Sequence, residues 1–276
     1  MTLLELLIVV AIMAVLTSVA VTSTDVLLGQ GRYDATERTL VEIKRAIVDD
    51  GSQANGSPTA VAGFVADVGR LPTSLDELLS NVNGISAHAV YPFDSDGDGT
   101  NDVQLASGWR GPYFRLRPGQ ETLRDGWGNA FHVTLTTAGI LTVKSAGSDG
   151  ECDAGTDGYE KDISACLSPA DYQASLVTLH VRKLDSTGSE QDPQPSDGQV
   201  VIHLYHVVNG IATKESDIIC DTTFQHAISN FPVGTAAVRA LLLDATSGKT
   251  IKKSPPYYLS IRPRSTWYQK LILPSN

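Results

Sequence analysis

Cysteine is scarce in this chain, with three in 276 residues. None sits in a C-x-x-C pair, so neither a zinc ribbon nor a thioredoxin-like motif has ligands to start from. Basic residues are also short, 21 against 31 acidic, for a formal net charge of −10. The deficit is uneven. Residues 171–276 hold 10 Lys and Arg against 9 Asp and Glu, which leaves a formal −11 on residues 1–170. No basic stripe follows from such a composition, and nucleic acid is excluded as a partner. No G-x-S-x-G elbow, P-loop or H-E-x-x-H helix occurs, so the chain reads as a non-enzyme. His203 and His206 lie three apart in a strand-like run; they fall on opposite faces and share no metal.

What is present begins at the N-terminus. Residues Leu6 to Leu16 are uninterrupted apolar, and apolar character continues to Val21. A helix of this kind roughly spans a bilayer core once its flanks are counted. The stretch has no basic n-region and no small-residue cleavage site, so it does not read as a secretory signal. Glu5 stands alone within it, and a carboxylate in hydrocarbon costs about 3 kcal/mol unless compensated. Thr2 to Ala11 resembles the mature N-terminus of type IV pilins and type II secretion pseudopilins. That resemblance implies cleavage by a prepilin peptidase, N-methylation at Met1, and a Glu5 that neutralises the amine of a neighbouring subunit during assembly. Ala14 and Thr22 stand where the family commonly has Gly and Pro, which leaves no helix breaker there.

Leu40, Ile43 and Ile47 recur at helical spacing among charged residues, predicting an amphipathic helix that ends near Asp49-Asp50-Gly51. In GRLPTSLDELL, Thr73 or Ser74 is placed to cap a short helix through Leu75, Leu78 and Leu79. This segment, WRGPYF (Trp109 to Phe114), DGWGNAFHV (Asp125 to Val133) and SAGSDG (Ser145 to Gly150) resemble, in order, segments of the major pseudopilin. Trp109 and Trp127 read as core and turn packing.

Two acidic stretches invite a hard divalent cation. DSDGDGTND places Asp94, Asp96 and Asp98 at alternate positions, then Gly99 and Asp102. Alternate carboxylates converge on one ion while Gly allows the sharp turn, although Leu105 stands where an EF-hand carries its bidentate Glu. The loop resembles those of thrombospondin-type repeats and dockerins; a solvated acidic turn is the alternative. The second stretch runs from Asp149 through Glu151, Asp153 and Asp157 to Asp162. There the pseudopilin resemblance implies calcium, with Asp149 and Asp162 matching the family's positions. Cys152 and Cys166 bound the same region; in an oxidising compartment they would form a disulfide and leave Cys220 odd, the alternative being three thiols.

The last hundred residues read as strands: Leu176 to Leu184, Val200 to Val208, Ala236 to Leu243 and Trp267 to Leu273, separated by turns such as DPQPSDG. Their alternation predicts a two-layer β-sandwich with one buried face per sheet. FPVGTAAVRALLLDATSGK resembles transthyretin-like or carboxypeptidase-regulatory modules. Lys249, Lys252 and Lys253 read as a solvated basic edge.

The expectation is therefore an α+β chain: a pilin fold, with a long hydrophobic N-terminal helix and a small antiparallel sheet, followed by a C-terminal β-sandwich. Its domains would be a transmembrane or filament-core helix over 1–30, a globular head with calcium loops over 31–170, and the sandwich over 171–276. The resemblance implies a structural subunit that self-assembles into a helical homopolymer, a pilus or pseudopilus, with the assembly machinery as partner. It would sit in the inner membrane before assembly and in an extracellular or periplasmic filament afterwards. The alternative is a minor or tip subunit whose sandwich is an adhesion or glycan-binding module.

Overall fold

Period-two alternation puts successive side chains on opposite faces of a strand, and the C-terminal third uses both faces. In a computed structural model, which describes residues 3–48, 62–152 and 158–275, the chain divides into two units.

The larger unit takes Ile43–Arg117, Leu135–Leu141 and Cys166–Asn276. Its helices are α2 (Phe64–Val68), α3 (Asp76–Leu79) and α4 (Pro169–Tyr172). Its strands are the hairpin β1 (Ala89–Phe93) and β2 (Val103–Ser107), then β6 (Gln173–Leu184), β7 (Glu190–Gln191), β8 (Gln199–Val208), β9 (Ile211–Lys214), β10 (Ile218–Ile219), β11 (Gln225–Pro232), β12 (Gly234–Leu243), β13 (Thr250–Lys253), β14 (Tyr257–Ile261) and β15 (Thr266–Leu273). One sheet joins β8 and β12 with β9, β10, β13 and β14; the other joins β11, β6, β15 and β7. In the second sheet β15 runs parallel to β6, with Tyr268 opposite Thr178 and Lys270 opposite His180.

The inward faces of the two sheets share one core. It includes Val177, Leu179 and Val181 of β6, Ile202 and Leu204 of β8, Val238 and Ala240 of β12, and Leu271 and Leu273 of β15. Fully burying such a side chain contributes roughly 1.5–3 kcal/mol. The expectation of one buried face per sheet is corrected for the six-stranded sheet. Tyr205, Val207 and Ala237, on its other face, are buried against Val103 and Leu105 of β2. Coverage from both sides explains why β8 is almost continuously apolar.

The smaller unit takes Met1–Glu42, Pro118–Thr134 and Thr142–Ala165. Most of the helix α1 (Leu3–Ile47) belongs to it, as does most of a three-stranded sheet of β3 (His132–Leu135), β4 (Leu141–Ser145) and β5 (Ile163–Leu167). The DGWGN turn is tied by its own aspartate: Asp125 accepts from the Trp127 and Asn129 amides at 3.0 and 2.7 Å and from the Ser145 hydroxyl at 2.7 Å. The Gly126 amide donates to Thr36 Oγ1 of α1 at 2.9 Å.

The pilin fold expected from the N-terminus is corrected. Strands dominate the architecture and most of the buried core lies in the two-sheet sandwich. Among the described residues no helix is long and apolar enough to cross a membrane. The described apolar run in α1 carries Glu5 and meets Thr17, whose hydroxyl donates back to the Met13 carbonyl at 2.7 Å. Such a run falls short of the roughly 20 residues a span requires. The transmembrane assignment and the inner-membrane placement are withdrawn with it. Glu5 is exposed in the first turn of α1, and Met1 lies outside the described residues.

Candidate functional site

Three of the four carboxylates predicted around DSDGDGTND come together in the loop between β1 and β2, and Asp102 is joined to two of them through Lys253. Asp94, Asp96 and Asp98 place ligand oxygens within 4.8 Å of one another. Asp94 accepts from the amides of Gly99 and Gly97, both at 2.8 Å, and of Asp96 at 3.2 Å. Those bonds hold its carboxyl below the usual range. The positive charge at the other three comes from the chain itself. Lys253 Nζ, from β13, lies 2.8 Å from Asp96 Oδ2, 3.0 Å from Asp98 Oδ2 and 3.2 Å from Asp102 Oδ2. Hydrogen bonds to these carboxylates raise its pKa and lower that of Asp98. Buried Arg239 of β12 pairs with Asp102 and donates to Ser95 Oγ at 2.9 Å and to the Ser254 carbonyl at 2.7 Å. Burial alone would raise the Asp102 carboxyl; bonds from Ser95, Lys253 and Arg239 overcome it and hold it low.

Beside this loop the two histidines of β8 lie on opposite faces of their sheet, His203 buried and His206 half-buried. His203 Nε2 lies 3.1 Å from Asp217, while His206 stacks near Phe231 with centroids 5.6 Å apart. Burial lowers both pKa values, for His203 with help from Lys214. Both imidazoles are therefore harder to protonate in the folded chain than in the unfolded one, where they protonate near pH 6.5. Below that pH the unfolded state binds more protons, so stability holds above about 6.5 and falls as pH drops through it. The urea midpoint is expected to decline between pH 7.5 and 5, by on the order of 1 kcal/mol in stability, and His203→Gln should flatten the profile. A flat wild-type profile over that window would remove the claim.

The second acidic stretch is not assembled in this way. Asp149 accepts from the Glu151 amide at 3.1 Å and Asp162 pairs with Lys144. Neither joins a three-carboxylate cluster among the described residues, and Asp153 and Asp157 lie outside those residues. The predicted disulfide is corrected. No bond joins Cys152 and Cys166, both exposed thiols, and Cys166 occupies an outward position of β5. Cys220 packs against the sandwich core, where burial, with Asp221 adding, pushes its thiol up to about 11.

A second surface was not anticipated. On the outer face of the β11–β6–β15 sheet Tyr268 is 55% exposed. Its hydroxyl lies 2.7 Å from His180 Nδ1, and His180 Nε2 lies 3.2 Å from Asp192 Oδ1. A carboxylate only accepts, so Nε2 carries a proton, and in the neutral ring Nδ1 accepts from the tyrosine hydroxyl. Asp192 also accepts from Arg182 Nη1 at 2.7 Å, and Arg182 Nη2 donates to the Glu190 carbonyl at 3.0 Å. Lys270 donates to Glu190 Oε2 at 2.8 Å. Alternation along β6 and β15 places His180, Arg182, Tyr268 and Lys270 on one side, but Asp192 and Glu190 are contributed by the turn around β7, which no strand pattern flags.

No family model matches the chain, and no curated protein matches it significantly. Among solved structures it is similar to the crystal structure of a proposed carbohydrate binding protein from Pseudomonas aeruginosa, at 12% identity over 38% of this chain and 90% of that one, with a TM-score of 0.24.

Proposed function

We propose that the sandwich is a recognition module that binds glycan on the outer face of its β11–β6–β15 sheet, rather than a catalyst. The observation that carries this reading is the Tyr268–His180–Asp192–Arg182 array: an exposed aromatic ring beside a chain of fixed donors and acceptors. A sugar presents an apolar C–H face that stacks on such a ring and hydroxyls that need both kinds of polar partner. With its O–H engaged as the donor to His180, the Tyr268 oxygen still has lone-pair capacity to accept. The cations Arg182 and Lys270 are matched by Asp192 and Glu190, so the face carries no field of one sign. That balance suits an uncharged, hydroxyl-rich chain better than a polyanion. Titration of the full chain with neutral oligosaccharides should show binding that Tyr268→Ala weakens at least tenfold and Tyr268→Phe weakens less. Equal binding by wild type and Tyr268→Ala, or none across a broad panel of neutral glycans, overturns the assignment.

A further inference from the structure

We propose that Lys253 is a tethered cation occupying a latent divalent-cation site, and that removing its ammonium opens that site to calcium. The inference is independent of the glycan surface. An ammonium has three donors, and here they engage Asp96, Asp98 and Asp102. One acceptor is left over: Asp96 Oδ1 is buried without a hydrogen-bond partner, on a side chain only 8% exposed. A buried carboxylate oxygen with no donor is costly, and it marks the cluster as richer in ligand atoms than one ammonium can serve. Calcium takes six to eight oxygens. It would draw on Asp94, Asp96 and Asp98, whose oxygens already lie within 4.8 Å of one another, and on the unused Asp96 Oδ1.

The two cations exclude each other. Lys253 Nζ and a metal ion would share oxygens of Asp96 and Asp98, and like charges so close repel strongly in a partly desolvated site. Arg239 stays with Asp102, where it also holds Ser95 and Ser254, so loss of Lys253 leaves the loop anchored on one side. Register fixes the lysine in place: Lys253 pairs with Leu241 and Lys252 with Leu242 across β13 and β12.

The test is calorimetric titration of the full chain with calcium chloride, comparing wild type, Lys253→Met, Lys253→Arg and the double variant Lys253→Met/Asp96→Asn. Lys253→Met is expected to bind calcium at least tenfold more tightly than wild type and to gain a calcium-dependent rise in melting temperature. Lys253→Arg, which keeps the charge, should behave as wild type, and the double variant should lose the gain. If Lys253→Met unfolds without metal, recovery of its circular dichroism by calcium reads the same site. Wild type and Lys253→Met binding alike overturns the proposal, as does recovery of the variant by sodium chloride of matched ionic strength.

Discussion

Glu77→Ala is expected to lower the stability of the protein by about 3 kcal/mol, the lower end of what breaking one side of a buried pair costs. Glu77 is fully buried at the second position of α3. Its carboxylate takes two parallel bonds from Arg70, at 2.8 and 3.0 Å. It also accepts from the Thr73 amide at 3.2 Å, from the Thr73 hydroxyl at 2.9 Å and from Asn83. Bidentate, charge-assisted bonds of this kind are the strong ones. Removing the carboxylate strands the Arg70 guanidinium and several further donors in a part-buried site, and that penalty exceeds the worth of the pair itself. Burial would raise the Glu77 carboxyl, but the bonds from Arg70, Asn83 and Thr73 outweigh it and set the folded pKa low. A depressed carboxylate contributes stability above its unfolded pKa, near 4.3, and loses it as pH falls through the folded value. The difference between wild type and Glu77→Ala should accordingly shrink below about pH 4. Chemical denaturation at pH 7 giving a loss under 1 kcal/mol would show that the network is not held as described.

The second large effect is expected from Gly69→Ala. Gly69 ends α2 in the left-handed region, φ 77°, and its amide donates to the Val65 carbonyl. A Cβ there would stand 2.0 Å from the Val207 carbonyl oxygen and 2.6 Å from its carbon. Both are backbone atoms of β8, a central strand buried on both faces, and cannot swing aside as a side-chain tip would. The same juxtaposition carries a bond from the Gly210 amide to the Val68 carbonyl at 2.7 Å. A destabilisation of about 3 kcal/mol or more is expected, since strain at a special backbone conformation and overpacking add. Gly188→Ala is the control, because its φ of 83° is similar but a Cβ there meets nothing within 4 Å. It should lose only about 1 kcal/mol, the conformational part alone. Similar midpoints for the two variants in denaturant would rule out the backbone contact as the reason for this glycine.

Leu75, Leu78 and Leu79 announced α3 correctly as a short helix, but its cap did not follow the pattern. The N-cap is Leu75 and makes no side-chain bond, while Thr73 is engaged by Glu77 instead. A capping hydroxyl and a buried carboxylate compete for the same local amides, and the sequence did not reveal that Arg70 would draw Glu77 inward. The N-terminal run misled for a different reason. Local apolar content says that a segment avoids water. It does not say whether the segment is long enough to span a bilayer, or what fraction of the fold it commands.

Period-two alternation placed β6, β8, β12 and β15 within a few residues of where they form, because which side chains can share a sheet face is a local property. The convergence of Asp94, Asp96 and Asp98 was legible in the same way, because alternate carboxylates followed by glycine are the spacing that lets one loop gather them. Tertiary structure decided what they converge on. Lys253 is about 150 residues away in sequence and read from sequence as a solvated edge. Only the pairing of β13 with β12 carries its ammonium among the carboxylates. The outer sheet face is of the same kind: Tyr268 and His180 meet because β15 returns parallel to β6, and a parallel pairing between the first and last long strands of the sandwich leaves no mark in either strand. Spacing along the chain fixes which groups face one another within an element. Which element supplies the opposing charge depends on how buried area and backbone hydrogen bonding are satisfied across the whole core.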